Sequence, residues 1–317
     1  MINSSLISHI KNYLGISIVS KFLSFAVLII YSGLMTVEDY GVLSLYLSYV
    51  WIFVVVLSGN IYTSIGRYIY EENSNFSSFL TDAIALILIV FVCLALVIIV
   101  NIANISFLLK IPSTGVYVLI FVALSMIFES IFFQISIWQE KSGLLFKVLL
   151  IKTVFIIAMT FLLLSLFSKE KYLAVMFSEL VGGVLLLIFI FLNIKKYFQP
   201  SYSKENFLYM ARYSLPLIPY MLGVALLSQS DRLMIEYFFS THETGLYSLS
   251  YNIGIVLVVV VNALLNAWNP SYFNYMNNKK YTEVEKGSEL IFSISVILTI
   301  FLILFGENVF KMLVVDA

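Results

Sequence analysis

Five ionisable side chains fall deep inside long apolar runs: Lys21, Glu129, Lys152, Asp231 and Arg232. A charge in a low-dielectric environment has to pair, exchange a proton, snorkel to a boundary or face a polar cavity. Glu129 is the deepest of the acids, and it either pairs with Lys152 or serves as a proton or ion-coupling site. Lys21 and Lys152 have stems long enough to snorkel, and either can instead line a cavity. Asp231 and Arg232 are adjacent, and neighbours at i and i+1 do not face each other on a helix. They therefore serve different partners: for Arg232 an anion in a cavity, or an interhelical ion pair. Asn262, Asn266 and Asn269 recur at i, i+4 and i+7, which makes one polar helix face beside Trp268. Amides there suit hydrogen bonds between helices and equally suit a polar ligand. Catalytic constellations are missing. His9 and His242 lie at opposite ends, and the lone Cys93 reads as a small buried hydrophobe. No glycine-rich loop cradles a phosphate, so neither a metal nor a cofactor is expected and the chain does not read as an enzyme.

The elements that position these residues are set by the solvent. With 61% hydrophobic and 11% charged residues among 317, and a mean hydropathy of +1.01, the chain belongs in a membrane. A spanning helix needs roughly 20 apolar residues. Helices are predicted at 12–36, 42–66, 79–109, 114–139, 143–167, 171–194, 212–239, 245–270 and 288–310. Period-2 alternation is absent, which argues against a barrel. Tyrosines cluster near the predicted ends, as interfacial belts do. Residues 1–11 are too polar for a cleavable leader, so the first helix is expected to act as the uncleaved insertion signal. With the N-terminus inside, eleven of the 18 Lys and Arg fall in cytoplasmic segments, four in outer segments and three within spans. This asymmetry predicts a cytoplasmic N-terminus and an external C-terminus.

The main polar interruption, at 195–211, contains three Lys and Pro200. It predicts an N-terminal six-helix bundle at 1–198, a cytoplasmic linker at 199–211, and a partial bundle of about three helices at 212–317. A short repeat straddles it. Glu38-Asp39-Tyr40-Gly41-Val42-Leu43-Ser44-Leu45 follows the first helix, and His242-Glu243-Thr244-Gly245-Leu246-Tyr247-Ser248-Leu249 follows the seventh. In both, an acid two residues before a glycine sits where the next helix's dipole favours negative charge. A parallel duplication follows, with the second copy incomplete.

The order Leu215-Pro216-Leu217-Ile218-Pro219, Ser228-Gln229-Ser230-Asp231-Arg232, Gly245-Leu246-Tyr247-Ser248 and Asn266-Ala267-Trp268-Asn269-Pro270 resembles the Wzx-type flippases of O-antigen and capsule repeat units. These are similar in design to multidrug and toxic-compound extrusion (MATE) transporters. The resemblance covers essentially the whole chain and implies an all-α polytopic membrane protein with a MATE-like two-bundle architecture, the second bundle cut short. It implies movement of an undecaprenyl-pyrophosphate-linked oligosaccharide across the bacterial inner membrane by alternating access. Polysaccharide polymerase and chain-length proteins would be its partners, and nucleic acid would not. Such a substrate needs cations for its phosphates, which Arg232, Lys21 and Lys152 could offer, and amides for its sugars, which the three asparagines could offer. Glu129 and Asp231 would then be ion-coupling or ion-pair residues. The alternatives are a cation-coupled multidrug antiporter of the same fold and a membrane polysaccharide polymerase. The second normally needs a sizeable polar loop, and none is present here.

Overall fold

The computed structural model describes Val27, Tyr31 and residues 34–69, 71, 75–138, 142–167, 170–199 and 202–313. Every regular element among the described residues is helical. In chain order these are α1 (Val37–Ser58), α2 (Tyr62–Tyr68), α3 (Phe76–Val100), α4 (Ile102–Leu109), α5 (Ser113–Trp138), α6 (Ser142–Leu164), α7 (Tyr172–Ile194), α8 (Lys204–Phe238), α9 (Thr241–Asn277) and α10 (Tyr281–Leu313). Among the described residues seven helices are long and apolar enough to cross a membrane: α1, α3, α5, α6, α7, α8 and α10. The expected helix at 12–36 falls almost wholly outside the described residues. The protein is an all-α, multi-pass membrane protein.

Two expected helices are each broken in two. Residues 42–66 divide because Gly59 and Asn60 both adopt left-handed backbone, with φ of 55°. That conformation ends α1, and Ser58 Oγ turns back to the Val54 carbonyl at 2.6 Å. Residues 79–109 divide at Asn101, which leaves helical geometry with ψ of 23°. Its backbone N–H and its side-chain Nδ2 both donate to the Val97 carbonyl, at 3.3 and 2.9 Å, and so close the last turn of α3. Three other helices run longer than expected, among them α10 at Tyr281–Leu313. α8 begins at Lys204 because Ser203 caps it, accepting from Asn206 N at 3.4 Å. Most of the expected linker is therefore the first turns of a helix, and Pro216 and Pro219 lie within it without ending it. α9 likewise continues past Pro270 to Asn277.

The chain folds as two compact units, Gly41–Thr244 and the described residues of Met1–Tyr40 with Gly245–Ala317. In the first, α7 packs along α5 and α6. Adjacent glycines make this close approach possible: a Cβ at Gly182 would lie 2.7 Å from Ile156 of α6, and one at Gly183 would lie 2.6 Å from Ser125 of α5. Leu119, Ile127, Ile131, Met176 and Ile190 fill the seam and are fully buried. One face of α3 carries exposed Ile89, Val92 and Leu96, as lipid contact requires. Cys93 is exposed on that same face of α3 rather than buried. A thiol is apolar enough to face lipid as readily as a core. In the second unit, Gly287 of α10 lies against the Trp268 ring of α9.

The sequence repeat is also a structural repeat. Asp39 N donates to Thr36 Oγ1 at 3.1 Å, and Glu243 N donates to Ser240 Oγ at 3.3 Å, so the two equivalent helices start with the same cap. An acid occupies the first turn of each. A Cβ at Gly41 would strike the Thr241 carbonyl, and one at the equivalent Gly245 would strike the equivalent Val37 carbonyl. Ser44 and Ser248 are buried, as are Leu45 and Leu249. Two segments that share caps, acids, backbone-to-glycine contacts and buried faces are copies of one design.

Candidate functional site

Polar side chains inside the Gly41–Thr244 unit gather in three places. The first lies among α5, α6 and α7. Lys152 Nζ donates to Glu129 Oε2 at 2.6 Å, with the two side chains 14% and 25% exposed. Glu179 of α7 lies within electrostatic reach of both. Two carboxylates and one ammonium leave the cluster one negative charge in excess when all are ionised. Tyr46 of α1 is fully buried, and its hydroxyl has no hydrogen-bond partner among the described residues. It lies close enough to Glu179 to feel its charge. The surplus carboxylate can take up a proton or a small cation, and the buried Tyr46 hydroxyl has spare hydrogen-bonding capacity.

The second place is along α8. Arg232 Nη1 donates to Gln229 Oε1 at 2.7 Å, and the same oxygen accepts from the buried Ser48 Oγ of α1 at 2.8 Å. The guanidinium is thus aimed by a side chain that α1 itself fixes. Arg232 is half-buried while Asp231 is exposed. Both make further polar contacts. One turn beyond, Glu236 is 5% exposed. Its carboxylate accepts from Thr241 at 3.0 Å and Thr244 at 3.2 Å and pairs with Lys110 at 3.6 Å. Lys110 Nζ also donates to the Glu236 carbonyl oxygen at 2.7 Å. This knot ties the turn after α4 to the turn between α8 and α9.

The third place is at the other end of α8. Buried Asp82 of α3 accepts from Asn206 Nδ2 at 2.7 Å and from Ser203 N at 3.3 Å, while Gln199 N donates to Thr81 at 3.0 Å. These bonds anchor the start of α8. Beside them Arg67, Glu71, Glu205, Tyr209, Arg212 and Tyr213 line an open cleft of about 550 Å³.

Of the residues expected to form a site, Glu129 and Lys152 come together, while Arg232 and Asp231 lie on α8. Lys21 lies outside the described residues. Asn262, Asn266 and Asn269 fall on α9, and their side chains also lie outside the described ones. Glu236 and Asp82 were not expected. Glu236 had a local signal, an acid one turn before a helix end with threonines just beyond it. Asp82 had none, because its partners are more than 120 positions away.

The chain is 26% identical over 294 residues to "Lsg locus putative protein 1" of Haemophilus influenzae, which covers 89% of this chain and 69% of that protein. A solved structure described as the inward-facing conformation of a multidrug resistance MATE family transporter of the MOP superfamily superposes with a TM-score of 0.61. That match is 14% identical and covers 99% of this chain and 73% of the other, so it establishes a shared fold. Residues 10–276 match the family described as polysaccharide biosynthesis protein. With most of its length matched, the chain belongs to the polysaccharide biosynthesis protein family.

Proposed function

We propose that this protein is a flippase that moves a lipid-linked oligosaccharide, an undecaprenyl-pyrophosphate-linked repeat unit, from the cytoplasmic to the outer leaflet of the bacterial inner membrane. The observation that carries this reading is the family match over residues 10–276 on a chain with a transporter's fold. The loop charges support a cytoplasmic N-terminus. In this reading the chain works without catalysis, by alternating access, with residues 1–198 and 212–317 as its two bundles and 199–211 between them.

The chemistry of the task assigns the polar groups. A diphosphate and a sugar both resist low dielectric, so the path needs fixed donors. Arg232, held by Gln229 and Ser48, is a preoriented fork for a phosphate oxygen. Lys21 adds a second cation, and the asparagine face of α9 supplies amides for sugar hydroxyls. Lys152 is committed to Glu129, so its part is to hold a coupling cluster rather than to meet the phosphate directly. Glu129, Lys152 and Glu179 together take up one proton or small cation, which cancels the excess charge. Asp231 pairs with a neighbour.

Deletion tests the function. A strain lacking the protein should accumulate lipid-linked units in the inner leaflet and lose the corresponding surface polysaccharide. Unchanged surface polysaccharide in a clean deletion refutes the proposal. Restored export of a dye instead of the saccharide would point to the multidrug antiporter.

A further inference from the structure

We propose that the cleft lined by Arg67, Glu71, Glu205, Tyr209, Arg212 and Tyr213 is a separate docking site for the headgroup of a glycosyl-diphosphate lipid, outside the transport path. The inference rests on the flippase reading for the identity of the lipid. The cleft itself rests on geometry.

Aromatic rings pack at its side. Tyr68 stacks on Phe79 with ring centroids 3.7 Å apart, and Tyr209 stands edge-on to both at 5.2 and 5.6 Å. Burial is the largest cause of the raised Tyr68 phenol; a backbone hydrogen bond from Asn75 opposes it, and the nearby Glu205 and Glu71 charges reinforce it. Tyr209 Oη donates to Glu71 Oε1 at 3.1 Å, and Arg67 pairs with the same oxygen at 3.5 Å. One carboxylate thereby locks a ring and a guanidinium in place. Tyr213 lies one turn along α8 from Tyr209, with ring planes 9° apart and centroids 6.4 Å apart.

The mixture of groups selects the ligand. Arg212 is exposed and makes no ion pair among the described residues, so its fork is available to a phosphate. A bare multivalent anion is disfavoured, because Glu71 and Glu205 would repel it. The same carboxylates accept hydrogen bonds from sugar hydroxyls, and the Tyr209–Tyr213 faces take the apolar C–H side of a sugar ring. A ligand with both an anionic ester and hydroxyls satisfies every group. At about 550 Å³ the cleft is in the range that holds small ligands. It lies at the end of α8 that the loop charges place in the cytoplasm, where lipid-linked units are assembled.

The test is direct binding to the purified protein in nanodiscs of neutral lipid. The probes are a short-chain prenyl diphosphate carrying a disaccharide, the same disaccharide 1-phosphate without lipid, and inorganic pyrophosphate. The lipid-linked probe should bind tightest and pyrophosphate weakest. R212Q should weaken the lipid-linked probe about tenfold or more, the scale of a lost charge-assisted bond, with R212K intermediate. Y213A should weaken both sugar probes and leave pyrophosphate unchanged. The proposal is overturned by wild-type binding in both R212Q and Y213A, by pyrophosphate binding as tightly as the sugar probes, or by binding of the soluble sugar phosphate alone. Arg212 is exposed, so monodisperse R212Q protein confirms that a loss is not a folding failure. Binding needs no transport, so a wild-type protein that binds the probe but flips nothing would sink the flippase reading and leave the cleft standing.

Discussion

Replacing Lys152 with Met keeps the apolar stem and removes the ammonium group. At the observed 2.6 Å, an effective dielectric constant of about 20 gives a gross attraction of about 6 kcal/mol, most of it offset by desolvation. The net loss on K152M is set by what remains, namely Glu129 and Glu179 facing each other with no cation. Breaking a buried pair in this way costs about 3–5 kcal/mol. The side chains are 14% and 25% exposed, so some water reaches them and the lower end, about 3 kcal/mol, is expected. The double variant E129Q/K152M restores neutrality at one carboxylate and should recover about half of that loss, an interaction energy well outside additivity. E179Q on the K152M background should recover a similar amount, because either carboxylate can lose its charge. Equilibrium unfolding of the purified variants in mixed detergent micelles measures these differences. A K152M protein within about 0.5 kcal/mol of wild type, as at an ordinary surface site, would refute the buried-cluster account. So would a double variant whose cost equals the sum of the singles.

Other outcomes follow from the same contacts. A Cβ at Gly41 or Gly245 meets a backbone carbonyl that has little freedom to move, so G41V and G245V should each cost about 1–3 kcal/mol, and neutral unfolding midpoints would contradict the repeated close approach. E236A strands the Thr241 hydroxyl, leaves the Thr244 hydroxyl only the Ser240 carbonyl, and removes the carboxylate that pairs with Lys110; a loss of about 1–3 kcal/mol is expected, with K110M milder because Lys110 is half exposed. R232Q should abolish export at wild-type protein level, and Q229A should reduce it by freeing the guanidinium; a fully active R232Q removes Arg232 from the substrate path.

The repeat was legible because its parts are local rules: an acid stands two residues before a glycine, and the glycine yields space. Asp39 and Gly41 therefore match Glu243 and Gly245 in the sequence itself, while the Thr36 and Ser240 caps emerge only from the structure. Membrane class was legible for a similar reason, since length and hydropathy alone decide what crosses a bilayer. The breaks at Gly59–Asn60 and Asn101 were not, because the apolar run continues through both and hydropathy does not register backbone geometry. The Glu129–Lys152 contact was one of two readings open to Glu129, and packing α5, α6 and α7 into one seam brings the two side chains together. The cleft was hidden altogether. Arg67 and Glu71 stand about 140 positions before Tyr209 and Arg212, and only the docking of α2 and α3 on α8 makes them neighbours.

The central claim is movement of a lipid-linked saccharide. Its most direct measurement uses vesicles that contain the purified protein and a fluorescent undecaprenyl-pyrophosphate-linked oligosaccharide. A membrane-impermeant glycosidase then reports how much saccharide is exposed on the outer leaflet with time. The account predicts that protein-containing vesicles expose the protected fraction, that protein-free vesicles do not, and that R232Q vesicles resemble the protein-free ones. A protected fraction that persists in the presence of the wild-type protein, while a cationic dye is transported, would contradict it.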